Sequence, residues 1–142
     1  MNLSGNSITT LDTKTFPYKT GLVELSMARN SITELSVNIR NNGRLSGLDT
    51  SGTKIISLQP DTFIHNTVLE KLYLNGNSIT DVHPSPFRNN NRLIRTDMSG
   101  NKINSIQRDT FIHNTELQWL DLKGKSITDV HPSTFQKKKT AR

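Results

Sequence analysis

The chain has 142 residues, a formal net charge of +6, 32% hydrophobic residues and no cysteine. That length fits one domain, and so little apolar content excludes a thick globular core. No apolar run reaches the ~18 residues of a membrane-crossing helix. Most of the excess positive charge sits in Lys137, Lys138, Lys139 and Arg142, a terminal cluster that reads as a solvated tail.

Taken in chain order, six units of 24 residues share one pattern of aliphatic positions around an asparagine or its substitute. The first, 1–21, opens part-way through, with Met1, Leu3, Asn6, Ile8, Leu11 and Phe16. Met1 already falls within a strand, so no leader segment is read there. The second, 22–44, has Leu22, Leu25, Met27, Asn30, Ile32 and Leu35. It is one residue short, so Ile39 rather than a phenylalanine falls nearest the aromatic slot. The third, 45–68, gives Leu45, Leu48, Thr50, Thr53, Ile55, Leu58 and Phe63. The fourth, 69–92, gives Leu69, Leu72, Leu74, Asn77, Ile79, Val82 and Phe87. The fifth, 93–116, gives Leu93, Thr96, Met98, Asn101, Ile103, Ile106 and Phe111. The sixth, 117–136, gives Leu117, Leu120, Leu122, Lys125, Ile127, Val130 and Phe135, and residues 137–142 form the basic tail, expected to be disordered.

Positions four and six alternate apolar with polar, the period of a short strand with one face buried. No unit carries a 3.6-residue apolar stripe long enough for a true helix. Six short strands cannot bury their apolar faces singly, so they are expected to stack into one parallel sheet over a thin continuous core. The phenylalanines near position nineteen should form an aromatic spine behind that sheet and bend the stack, leaving the sheet concave. The asparagine has its own physical reason. A sharp turn after each strand leaves backbone groups pointing inward, and an amide side chain offers both donor and acceptor to satisfy them. Thr53 can make a shorter version of that bond. Lys125 has no acceptor and is expected to fray the ladder, its ammonium reaching solvent.

A coarser repeat runs at 48 residues: DTFIHNT recurs at Asp61 and Asp109, and SITDVHPS at Ser78 and Ser126. It accounts for the histidines. His65 and His113 share one position, His83 and His131 another, and like positions stand two coils apart, about 10 Å by strand spacing. Zinc takes ligands at about 2 Å, so neither pair can share an ion, and no metal or cofactor is expected. At position five, Asp49, Asp97 and Asp121 recur, with Asn2, Ser26 and Tyr73 in the other units. Asp97 and Asp121 should be neighbours about 5 Å apart, a separation that retaining glycosidases use. They belong, however, to the recurrent framework phrase Leu48-Asp49-Thr50-Ser51-Gly52, Thr96-Asp97-Met98-Ser99-Gly100 and Leu120-Asp121-Leu122-Lys123-Gly124. No serine sits in a nucleophile-elbow setting, and the chain is not expected to be an enzyme.

The pattern LxxLxLxxNxIxxIxxxxF, repeated from Met1 to Phe135, resembles the leucine-rich repeat family, of the 24-residue type common in animal extracellular proteins. The resemblance implies an α/β solenoid: a right-handed superhelix with a concave parallel sheet and a mostly irregular convex side, binding other molecules, usually proteins. Extracellular members usually seal both ends with disulfide-bonded caps. With no cysteine and a first unit that begins mid-pattern, the chain reads as a fragment of a secreted or cell-surface receptor or adhesion protein; a cytoplasmic setting is the alternative. The lone N-x-S/T sequon, Asn2-Leu3-Ser4, adds little to either.

Between the two 48-residue copies the outward positions of the sheet all differ: Lys71/Trp119, Tyr73/Asp121 and Asn75/Lys123. Tryptophan, tyrosine and arginine are the types most enriched at interface hot spots. The expected binding residues are therefore Lys71, Tyr73, Arg95, Asp97, Trp119 and Asp121. The expected partner is a protein, with no nucleic acid, no direct membrane contact and self-association through the uncapped ends. A structural spacer within a longer chain is the alternative function.

Overall fold

The computed structural model describes residues 1–135 apart from 13, 17–20, 36–38, 40 and 125, and leaves the side chains of Ser133 and Phe135 outside that description. The expectations for Lys125, for the ring of Phe135 and for the basic tail 137–142 fall outside the described residues.

Five three-residue strands build the main sheet: β1 (Glu24–Ser26), β2 (Gly47–Asp49), β3 (Lys71–Tyr73), β5 (Arg95–Asp97) and β7 (Trp119–Asp121). They pair in the order β1-β2-β3-β5-β7, all parallel. Their register sets Leu25, Leu48, Leu72, Thr96 and Leu120 side by side, so each strand turns its middle residue inward and its two ends out. Met1 joins the edge of that sheet beside a bridge from Asn2 to Ser26: its amino group donates to Glu24 O at 2.7 Å and its carbonyl accepts from Ser26 N at 3.0 Å. Behind the sheet lies a thin core whose fully buried members include Met27, Leu45, Leu69, Leu74 and Ile79. The chain is a parallel solenoid.

The aromatic spine forms as the spacing requires. Phe63, Phe87 and Phe111 are buried, with ring centroids 6.0 and 5.8 Å apart in succession. Paired strands stand about 4.8 Å apart. Coils held wider at the rings than at the sheet must fan, with the sheet on the inside of the curve. Ile39 takes the aromatic slot of the short unit: it is fully buried, and its carbonyl accepts from Asn66 Nδ2 at 2.9 Å as Phe63's carbonyl accepts from Asn90 Nδ2 at 3.1 Å. One residue fewer separates Leu35 from Ile39 than Leu58 from Phe63, which places the deletion between those elements.

The asparagine ladder links each coil to the one before it. Asn77 donates through Nδ2 to Leu74 O in its own coil (3.0 Å) and Thr50 O in the previous one (2.9 Å). Its Oδ1 accepts from the Ile55 N–H at 3.0 Å. Asn30 and Asn101 repeat that set on Leu3, Met27 and Ile8, and on Leu74, Met98 and Ile79. Thr53 makes the shorter version: its hydroxyl lies within hydrogen-bond distance of Thr50 O and of Asn77 Oδ1. The turns that follow β1, β2, β3 and β5 also hold a left-handed residue. Gly76 has φ 68°, and a Cβ there would stand 3.4 Å from Gly52 N in the preceding coil. Arg29 holds the equivalent conformation at φ 55°.

Two features depart from the expected irregular return. β4 (Asp81–Val82) and β6 (Ser105–Ile106) form a second, two-stranded parallel sheet, prolonged by a bridge from Ile106 to Val130. Neighbouring coils present the same two extended residues at the same height, so their backbone groups pair. Single 3₁₀ turns follow at Ser85–Phe87 and Pro132–Phe135. Secondly, a further asparagine ladder runs along the spine. Asn66, Asn90 and Asn114 each donate to the carbonyl of the preceding asparagine in the series, Asn42, Asn66 and Asn90, at 2.9–3.0 Å. Each also donates to the carbonyl of the preceding spine residue, Ile39, Phe63 or Phe87, at 2.9–3.1 Å.

Thr96 stands where the other strands carry leucine. It is fully buried, and its hydroxyl has no hydrogen-bond partner. Thr96→Val keeps the shape and removes that orphan hydroxyl. It should stabilise the chain by about 1 kcal/mol, read as a higher urea midpoint with an unchanged slope.

Candidate functional site

The alternation of a strand turns two residues of each outward, and the register assembles them into two rows across the sheet. The first row runs Glu24, Gly47, Lys71, Arg95, Trp119; the second runs Ser26, Asp49, Tyr73, Asp97, Asp121. All six residues expected from the sequence therefore stand on the three adjacent strands β3, β5 and β7.

In the first row, Lys71, Arg95 and Trp119 are exposed, Trp119 by 38%. The Arg95 guanidinium lies over the indole of Trp119, its Cζ 4.7 Å from the ring centroid. That separation is well inside the reach of a cation–π contact, so the chain's single tryptophan is in contact with the cation of the neighbouring strand. In the second row, the aspartates are half-buried and serve the turn. Asp97 Oδ1 accepts from Ser99 N at 2.9 Å and from Ser99 Oγ at 2.6 Å, and Asp49 binds Ser51 in the same way. Asp121 Oδ1 accepts from Lys123 N at 2.9 Å. Each carboxylate caps its own strand end, as its place in a framework phrase implies, and keeps its second oxygen for other contacts.

Asp97 and Asp121 are register partners, as expected. Each carboxylate is engaged in its own turn, Asp97 with Ser99 and Asp121 with the Lys123 N–H. Among the described residues, no three His, Asp or Glu side chains converge on a point that could hold a metal ion.

A feature at the other end of the sheet was not read from the sequence. Gly47 has no side chain between Glu24 and Lys71, and the face dips there into a depression of about 480 Å³. Its walls include Glu24, Ser26, Asp49, Lys71 and Tyr73. Lys71 and Tyr73 thus join the depression to the Arg95–Trp119 pair, and the continuous face runs across all five strands. The sequence signal was available: Gly47 is the one residue without a side chain in the outward row.

Comparison with known proteins agrees with this geometry. The family model described as Leucine rich repeat matches residues 43–103 and 67–127, together more than half of the chain. No curated protein matches it. Among solved structures, a chain of the Toll–Spatzle complex, a molecular hub in Drosophila development and innate immunity, superposes with a TM-score of 0.79 and 26% identity over 82% of this chain. A chain of the TLR13–ssRNA13 complex gives 0.74 and 28% over 82% of this chain. The leucine-rich repeat domain of APL1 gives 0.74 over 82% of this chain and 30% of that domain; at 22% identity it speaks for the fold alone. This chain spans only 16% and 17% of the first two relatives.

Proposed function

The chain belongs to the leucine-rich repeat family, and from that premise we propose that it is a protein-recognition module binding through the concave face of its sheet. The observation that carries the reading is the Arg95–Trp119 pair: a large aromatic, exposed on the sheet face and in cation–π contact with a neighbouring guanidinium. Tryptophan and arginine are the types most enriched at interface hot spots, and here they stand together on the open face. Trp119 and Tyr73 act as the anchors, Lys71 and Arg95 as the charged contacts, and Asp97 and Asp121 offer their uncapped oxygens. The likeness to chains of the Toll–Spatzle and TLR13–ssRNA13 complexes supports a setting outside the cell or at its surface, within a longer chain, as part of the same proposal.

The earlier exclusion of nucleic acid has no support from these likenesses, because one relative is solved with ssRNA13. Protein is the preferred partner because a row of aspartates runs beside the cations. A spacer role is the competing reading, and one substitution separates the two. Trp119→Ala should weaken a protein partner's binding by about 2 kcal/mol, roughly thirtyfold, and leave circular dichroism unchanged. Unaltered binding would favour the spacer, and a loss of fold would make Trp119 structural.

A further inference from the structure

Lys71 and Arg95 are register partners on neighbouring strands, side by side on the exposed face. Like charges so placed repel, and a surface cation beside acidic residues ordinarily relaxes toward one of them. Here neither does. Among the described residues, Arg95's side chain is engaged only with the Trp119 ring, and neither cation is paired with a carboxylate. The reason lies in the second row: Asp49 and Asp97 are held toward their turns by serine, and Asp121 by a backbone N–H. The result is two unpaired cations, one with its guanidinium carbon 4.7 Å from the centre of an indole and, among the described residues, no hydrogen-bond partner for its N–H groups. A planar fork of that kind matches the geometry of a carboxylate.

Resting on the recognition reading above, we propose that Lys71 and Arg95 form a clamp for an acidic side chain in an extended segment of the partner protein. The neighbouring residue of that segment lies against Trp119, and a residue that carries no negative charge faces the aspartate row. The row also decides against a polyanion. A nucleic-acid strand carries a charge on every nucleotide, and any phosphate beyond the two cations would meet Asp49, Asp97 or Asp121. A single carboxylate beside a neutral or basic neighbour avoids that repulsion.

The test uses Trp119 fluorescence as its reporter, since the chain holds no other tryptophan. Three probes are titrated at the same low ionic strength: a capped extended peptide with a glutamate and a nearby lysine, its glutamine counterpart, and single-stranded oligodeoxythymidylate. The glutamate peptide should bind saturably and about tenfold more tightly than the glutamine one. Lys71→Gln and Arg95→Gln should each remove most of that preference with the circular dichroism unchanged, and Arg95→Lys should restore part of it. Equal affinity for the two peptides, no saturable change on the folded chain, or tightest binding of the oligonucleotide would each overturn the clamp. The broader reading fails separately. A partner that crosslinks from the sheet face and is indifferent to Lys71→Gln and Arg95→Gln sinks the clamp alone, whereas a partner that crosslinks only from the back of the solenoid sinks recognition by this face.

Discussion

Replacing Asn77 with alanine should lower the stability of the chain by about 3–4 kcal/mol. The side chain makes bonds in both directions along the stack, and their loss is unequal. Thr50 O keeps the Thr53 hydroxyl and Leu74 O keeps Asn101 Nδ2, so both deserted carbonyls retain a partner. The Ile55 N–H has no such substitute at that site: it is buried and its acceptor is Asn77 Oδ1. An orphaned buried donor costs about 1–3 kcal/mol, and the remaining bonds contribute the rest at about 1 kcal/mol apiece. Asn6 stands in the same frame but is exposed, and its Nδ2 bonds stay within its own coil. Asn6→Ala should therefore cost less than about 1 kcal/mol, because water can serve the groups it leaves. Urea unfolding followed by circular dichroism measures both; equal losses would mean that the ladder's contribution does not come from burial.

Phe87→Ala should cost about 3–5 kcal/mol, the range for emptying a buried aromatic site. Phe87 is the middle ring of the described spine, stacked on Phe63 and tilted against Phe111, and it is 1% exposed. A solenoid has no layer beyond its neighbours to collapse into the space, so the cavity should persist. Phe87→Leu keeps most of the volume and should cost about 1–1.5 kcal/mol. The loss should also spread: hydrogen exchange ought to quicken in the coils of β3 and β5 together, since each repeat is stabilised by its neighbours. A change below about 1 kcal/mol for Phe87→Ala would contradict the spine as the element that spaces the coils.

What could be read in the sequence was what repeats in side-chain type. The leucines of the strands, the asparagines after them, the phenylalanines of the spine and the compensation at Ile39 each leave a mark every 24 residues. The second asparagine series, Asn42, Asn66, Asn90 and Asn114, keeps the same interval and was equally visible, but its function depends on the spine carbonyls it meets only in the folded stack. The β4–β6 sheet leaves no pattern because its pairing is a matter of backbone height. On the face, sequence placed Trp119 and Arg95 on neighbouring strands, but not the ring-over-guanidinium contact, which depends on rotamers. The aspartates were read both as framework and as binding residues, and their Asx bonds to Ser51, Ser99 and Lys123 account for the framework part. The depression at Gly47 follows from a single outward position where the units differ in type, a signal that a search for shared residues passes over.

The central claim is that the sheet face, not the back, meets the partner. It is tested most directly by placing a photoreactive phenylalanine at Tyr73, on the sheet, and in a second variant at Arg88, exposed beyond the spine. Each is then exposed to secreted and cell-surface proteins. The account predicts a discrete crosslinked protein from position 73 that Trp119→Ala abolishes, and none from position 88. A crosslink from position 88 alone, or one from position 73 that Trp119→Ala leaves unchanged, would contradict it.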